Sequence, residues 1–258
     1  MKIAWRRQAG YTVIELSLFL GISALLFTIA VFATGSTIRN ARFTDSGRSL
    51  EAYVQKQYDD IINGVNPRAG DISCTSGTVT TGTQTPGTSN CLLVGKLLLF
   101  QVNSPTITSY DIVATDPGIN VDFGKTDEQL IATVYQPQVI TTANVLQHEI
   151  SWQAPVIGIK RISSGDPSAL ATNALALIRS PRSQRILAYS YKEAATPTAG
   201  LLLSVVSNPT LNTGKAVNFC IQSADRIGTQ AKLVISTGSN QSAAQIDFNA
   251  TAGDCDGA

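Results

Sequence analysis

The chain is poor in charge and has almost no histidine. Of its 258 residues only 14% are Asp, Glu, Lys or Arg, against about 25% in an ordinary soluble domain. Hydrophobic residues make up 43%, which excludes disorder of the whole chain. The lone histidine, His148, rules out a His-rich metal centre, and any Ser-His-Asp arrangement would have to use it. No CxxC pair and no glycine-rich phosphate loop occur, so the common zinc and nucleotide motifs are missing. With no nucleophile motif beside His148, the sequence reads as non-enzymatic, without a cofactor and without a metal. No internal repeat of fixed period is present.

The net charge of +1 conceals an uneven distribution. Lys2, Arg6 and Arg7 stand among the first ten residues with no acid, and the remainder holds 16 basic against 18 acidic side chains, a net of −2. That balance is not the basic footprint of a nucleic-acid-binding domain. It directs attention to the N-terminus.

From Tyr11 to Thr34 the chain reads YTVIELSLFLGISALLFTIAVFAT, 24 residues with no proline and one ionisable side chain able to carry charge near neutrality, Glu15. As a helix this stretch is about 36 Å long, enough to cross a hydrocarbon core of about 30 Å. The basic cluster before it predicts a cytoplasmic N-terminus and an external remainder. A secretory signal peptide fits less well, because its apolar region is shorter and ends in small residues, and Val31, Phe32 and Ala33 make a poor cleavage site. Glu15 needs an explanation, since a carboxylate inside a spanning helix costs about 2.5–3.5 kcal/mol on the mildest scale. Snorkelling to the interface is the plain account, and a positive partner the functional one. Cleavage between Gly10 and Tyr11 would create such a partner, the new α-amino group on a neighbouring copy.

The run Gly10-Tyr11-Thr12-Val13-Ile14-Glu15-Leu16, with a short basic leader before it and a long apolar helix after it, resembles the type IV prepilin signal. The resemblance covers residues 1 to about 35. It implies that a membrane prepilin peptidase cleaves after Gly10, that Tyr11 becomes the N-methylated terminus, and that Glu15 supports docking of subunits in a filament. Tyr11 stands where such signals more usually have phenylalanine, and the helix lacks the proline that many pilins carry. The implied partners are prepilin peptidase, other pilin subunits, the pilus assembly platform and the membrane. The implied location is a single pass through the cytoplasmic membrane with the head outside, then an extracellular filament. The competing expectation is a simple signal anchor holding an unrelated external domain.

Past Gly35 the pattern turns amphipathic and runs to about Ile62, where Asn63, Gly64 and Asn66-Pro67 stop it. Phe43, Leu50, Val54 and Ile61 fall on one line of the helix, with Asp45, Arg48, Gln55 and Asp59 opposite. The expected organisation is therefore a leader at 1–10, a transmembrane or filament-core helix at 11–34, its amphipathic continuation at 35–63, and a β-rich head at 64–258. Between Cys74 and Cys91 lies a Thr- and Gly-rich tract, 75–90, expected to be a polar loop. Four cysteines allow three connectivities. The local pairing Cys74 with Cys91 and Cys220 with Cys255 is favoured, and closing a loop of the first size stabilises by about 3 kcal/mol in the chain-entropy model.

From Leu92 onward, short apolar or alternating runs are separated by Asn, Gly, Pro, Ser and Thr. Ten strands are expected, at 92–102, 106–114, 130–139, 149–159, 174–179, 185–191, 201–206, 217–221, 233–236 and 245–248. A helix followed by mainly antiparallel strands is an α+β fold, and the resemblance makes that arrangement pilin-like. The stretch from Val217 to Cys255 loosely resembles the end of minor pseudopilins of the H-type group.

Three further features invite chemistry. Arg179, Arg182 and Arg185 make a basic turn at a hairpin tip, a candidate contact for an anion or for DNA, which some minor pilins bind, or else a solubilising loop or a contact with an acidic neighbour. Asp254 and Asp256, with Asp247 nearby, invite comparison with the calcium site of some pseudopilins, but they are too few for the six to eight oxygens calcium takes. His148 opens a strand and is read as a surface or cross-strand residue. The primary expectation is a structural pilus subunit, with the large head pointing to a minor pilin. The alternative is a tip protein whose Thr-rich loop or basic turn binds a surface ligand or DNA.

Overall fold

The computed structural model describes residues 11–64, 72–75, 78–82, 91–115, 124–141, 145–161, 172–198, 200–208, 217–225, 228–236, 244–250 and 252–255. The chain divides into two compact units, Met1–Arg42 and Phe43–Ala258. Helix α1, Val13–Ile62, is continuous across that division. In the first unit the helix is apolar all round, has a mean hydropathy of 2.4 over its best 18-residue window, and buries none of that window. It is long and apolar enough to cross a membrane.

In the second unit, α1 carries the stripe that its periodicity predicts. Phe43, Leu50, Val54 and Ile61 are buried, joined by Ser46, Gly47, Gln57 and Tyr58. The strands that follow, in chain order, are β1 (Ile72–Thr75), β2 (Thr78–Thr81), β3 (Cys91–Phe100), β4 (Thr106–Thr115), β5 (Gln138–Val139) and β6 (Leu146–Glu149). They continue with β7 (Val156–Arg161), β8 (Ala174–Arg179), β9 (Ile186–Tyr191), β10 (Val217–Gln222), β11 (Gln230–Ile235) and β12 (Ala244–Asp247). Among the described residues, α2 (Asp127–Leu130) and α3 (Leu201–Val206) intervene and α4 (Ala252–Cys255) follows β12.

All the pairings are antiparallel, so the second unit is α+β. One sheet runs β5-β4-β3-β8-β9, with β6 also on β4; another runs β12-β11-β10-β7; β1 and β2 form a separate hairpin. The six-stranded sheet is covered on both faces. Leu98, Phe100, Ile107, Leu175 and Leu177 join α1 and the inner residues Phe219, Leu233 and Ile235 of the four-stranded sheet in one core. Leu97, Tyr110, Ile112, Ala176 and Tyr189 form a second core with Leu202, Val205 and Val206 of α3. A strand buried on both faces needs no polar alternation, which accounts for the unbroken run CLLVGKLLLF of β3.

Gly95 sits where the β3–β4 register shifts. A Cβ there would run into the carbonyl oxygen of Leu177 on β8, so the bulge admits only glycine.

The structure corrects three of the expected strands. Residues 201–206 are helical: Leu202, Val205 and Val206 are the buried positions, an i, i+3, i+4 set that a short apolar run does not distinguish from a strand. Most of 130–139 is also helical, with α2 passing into a π-helical turn, Ile131–Tyr135, before the two-residue β5. Thr126 and Gln129 form a capping box at the start of α2, a T-x-x-Q signal for a helix start. The run 149–159 is split by a 3₁₀ turn, Ser151–Gln153, into the last residue of β6 and the first part of β7. Part of the Thr-rich tract expected as loop is the β1–β2 hairpin; residues 83–90 lie outside the described residues.

Candidate functional site

The N-terminal end of α1 carries the residues that the sequence singles out. Gly10 lies outside the described residues, and Tyr11 is 89% exposed. Thr12 and Glu15 close a reciprocal cap: the Thr12 N–H donates to Glu15 Oε2 at 2.9 Å, Thr12 Oγ1 donates to the same oxygen at 3.0 Å, and the Glu15 N–H donates to Thr12 Oγ1 at 3.2 Å. This is the S/T-x-x-E capping box, which satisfies two orphan N–H groups of the helix start. All the side-chain bonds to Glu15 use Oε2, so the cap leaves Oε1 unused and holds the carboxylate at the terminus.

Beyond the cap the helix surface is apolar and uncovered, with Phe19 66% and Phe32 80% exposed. Three of its hydroxyls are turned inward on the backbone: Ser17 Oγ donates to Ile14 O, Thr28 Oγ1 to Leu25 O and Thr34 Oγ1 to Ala30 O. Such back-bonding leaves few polar groups for a surrounding apolar medium to desolvate.

The basic turn does form a hairpin tip, between β8 and β9. Two of its guanidinium groups serve the chain's own carbonyls. Arg179 Nη1 donates to Ile62 O at 3.0 Å and Ile61 O at 3.4 Å, capping the last turn of α1, and Arg182 Nη1 donates to Lys125 O at 2.9 Å. The hydroxyls of Ser180 and Ser183 both donate to the Asp127 carboxylate. Arg185 also has a partner. The turn is thus a buttress between the end of α1 and the start of α2.

Cys220 and Cys255 are joined, 35 residues apart in sequence. Cys91 is disulfide-bonded as well; the side chain of its expected partner, Cys74, lies outside the described residues. Near the first bridge, Lys232 Nζ lies 3.1 Å from Asp254 Oδ1 and 3.5 Å from Asp247 Oδ2. Those carboxylates, suggested in the sequence as oxygen donors to calcium, share a lysine ammonium instead, and they raise its pKa above the usual lysine value. Asp256 lies outside the described residues. Among the described residues no group of three or more His, Cys, Asp and Glu side chains could hold a metal ion.

His148 is cross-strand from Ile107 and turns its ring onto α1, where it stacks on Tyr53 with centroids 4.0 Å apart and planes at 3°. Burial lowers its pKa, and the positive charge of Lys56 lowers it further. Sequence reasoning missed the buried ion pair between Lys96 and Asp111, which lie opposite each other on β3 and β4. Lys96 sits inside an apolar run, and only the strand register reveals its partner.

Comparison with protein-family models, with curated proteins and with solved structures yields no match for this chain.

Proposed function

We propose that this chain is a structural subunit of a type IV pilus, or of the related type II secretion or competence pilus, cleaved after Gly10 and assembled through its N-terminal helix. The observation that carries this reading is the uncovered apolar helix with one acid, Glu15, held by Thr12 at its very start. An uncharged helix surface of that extent has to be buried in lipid or among other apolar helices. A filament supplies both in sequence: storage in the membrane, then bundling with the helices of other copies. In that bundle Glu15 neutralises the Tyr11 amino group of a neighbour, which removes the cost of an unpaired charge in an apolar core.

The size of the unit Phe43–Ala258 favours a minor subunit, because additional surface on every copy would have to be packed along a shaft. Prepilin peptidase and the assembly platform are the partners this role requires. The test is mass spectrometry of the mature chain together with two variants. The expected mature terminus is Tyr11, a bulky replacement of Gly10 blocks processing, and Glu15→Ala is processed but enters filaments poorly. A different mature terminus, or normal filament entry by both variants, overturns the reading.

A further inference from the structure

On the face of the six-stranded sheet turned away from α1, a cavity of about 290 Å³ opens between the ends of β3, β4 and β6. Strand register explains how it is lined. Ile107 on β4 and His148 on β6 are opposite each other and both meet α1. Alternation therefore sends Thr106, Thr108, Gln147 and Glu149 to the other face. Gln101, Ser104, Thr106, Thr108, Gln147 and Asn173 line the cavity together with Leu99, Phe100 and Ala195.

Among the described residues its lining includes no Lys, Arg, His, Asp or Glu. Glu149 stands across from Thr106 on the neighbouring strand. Glu193, two residues before Ala195, is 6% exposed, and its Oε2 has no hydrogen-bond partner. Its Oε1 accepts from the N–H groups of Ala194 and Thr198, both at 3.1 Å. Asn173 clamps this wall: its Oδ1 accepts the Glu193 N–H at 2.7 Å and its Nδ2 donates to Glu193 O at 3.0 Å. The wall is held before any ligand arrives, which lowers the ordering cost of binding.

The geometry points to a binding site for a neutral saccharide. Hydroxyl and primary amide side chains offer donors and acceptors together, and a polyhydroxylated ring is a ligand that uses both. An anion would find no cation among the described lining residues, and an apolar ligand would leave the polar lining desolvated and unpaired. The volume is at the low end of ligand pockets, about 300 Å³, suited to one or two sugar rings. This site belongs to the second unit alone and does not depend on the filament reading.

The test titrates the full chain, in lipid nanodiscs free of sugar-headed detergent, with a panel of neutral disaccharides built from glucose, galactose, mannose and N-acetylhexosamines. Sialyllactose and spermidine serve as the anionic and cationic probes. At least one neutral disaccharide is expected to bind at millimolar concentration or below. Gln101→Ala and Gln147→Ala, both exposed and free of fold-bearing contacts in the core, are expected to weaken it about three- to tenfold each, the worth of one hydrogen bond. No binding across the neutral panel, equal or tighter binding of sialyllactose or spermidine, or unchanged affinity in both variants each overturns the proposal.

Discussion

Lys96 Nζ lies 2.5 Å from Asp111 Oδ1, and the two side chains are 3% and 2% exposed. The pair faces the core that α1 shares with the sheet, and Asp111 Oδ2 has no further partner. A buried ion pair is expensive to desolvate and stabilises little in total, but removing one partner strands a charge. Lys96→Met or Asp111→Leu alone is expected to cost about 3–5 kcal/mol, and the double replacement to recover most of that loss. A double-mutant cycle by chemical denaturation measures both numbers.

Gly47 of α1 is buried under Phe248, where an added Cβ would lie 2.5 Å from the ring and 3.3 Å from Ile246. Phe248 also packs edge-on against Phe43 at 6.1 Å. Gly47→Val is expected to destabilise by about 1–3 kcal/mol through overpacking, and adding Phe248→Ala should relieve part of the clash. Melting temperatures of the two single variants and the double variant decide it.

His148 makes stability depend on pH with a definite sign. Its folded pKa lies below the usual 6.5 because burial and Lys56 disfavour the charged ring. The unfolded chain therefore binds the proton more readily. The neutral ring's contribution is complete above about pH 6.5 and is lost as pH falls below that value toward the folded pKa. Denaturation midpoints between pH 7.5 and 5 should fall in the native chain, and His148→Phe, which keeps a ring on Tyr53, should flatten that part of the slope.

The bridge between Cys220 and Cys255 spans 35 residues. Replacing both by alanine is expected to cost about 4 kcal/mol in the chain-entropy model. Equal stability of oxidised chain and double variant in denaturant would contradict it.

Lys232 takes the place of a cation between Asp247 and Asp254. Added calcium and added chelator are both expected to leave the melting temperature unchanged. A calcium-dependent rise would show that the lysine yields to the metal.

Much of this was legible in local sequence. The apolar run from Tyr11, the stripe of Phe43, Leu50, Val54 and Ile61, and the strands on either side of the Arg179–Arg185 turn follow from periodicity and turn residues, and the structure has them. Neither capping box was read from the sequence, although T-x-x-E at Thr12–Glu15 and T-x-x-Q at Thr126–Gln129 carry the signal. Residues 201–206 show the limit: six apolar residues fit a strand or a helix, and α3 is decided by the side of the sheet it covers.

The sequence by itself determined a helix long and apolar enough to cross a membrane, the single acid in its apolar part, the amphipathic continuation and the α+β class, because each depends on spacing along one segment. Tertiary structure alone decided that Lys96 meets Asp111, that Arg179 caps α1, that Lys232 lies between two aspartates, and that neutral side chains of β3, β4 and β6 converge on one cavity. Those contacts depend on strand register and on which strands are neighbours. Register is set by the fit of whole faces across the sheet, and no single segment carries that information.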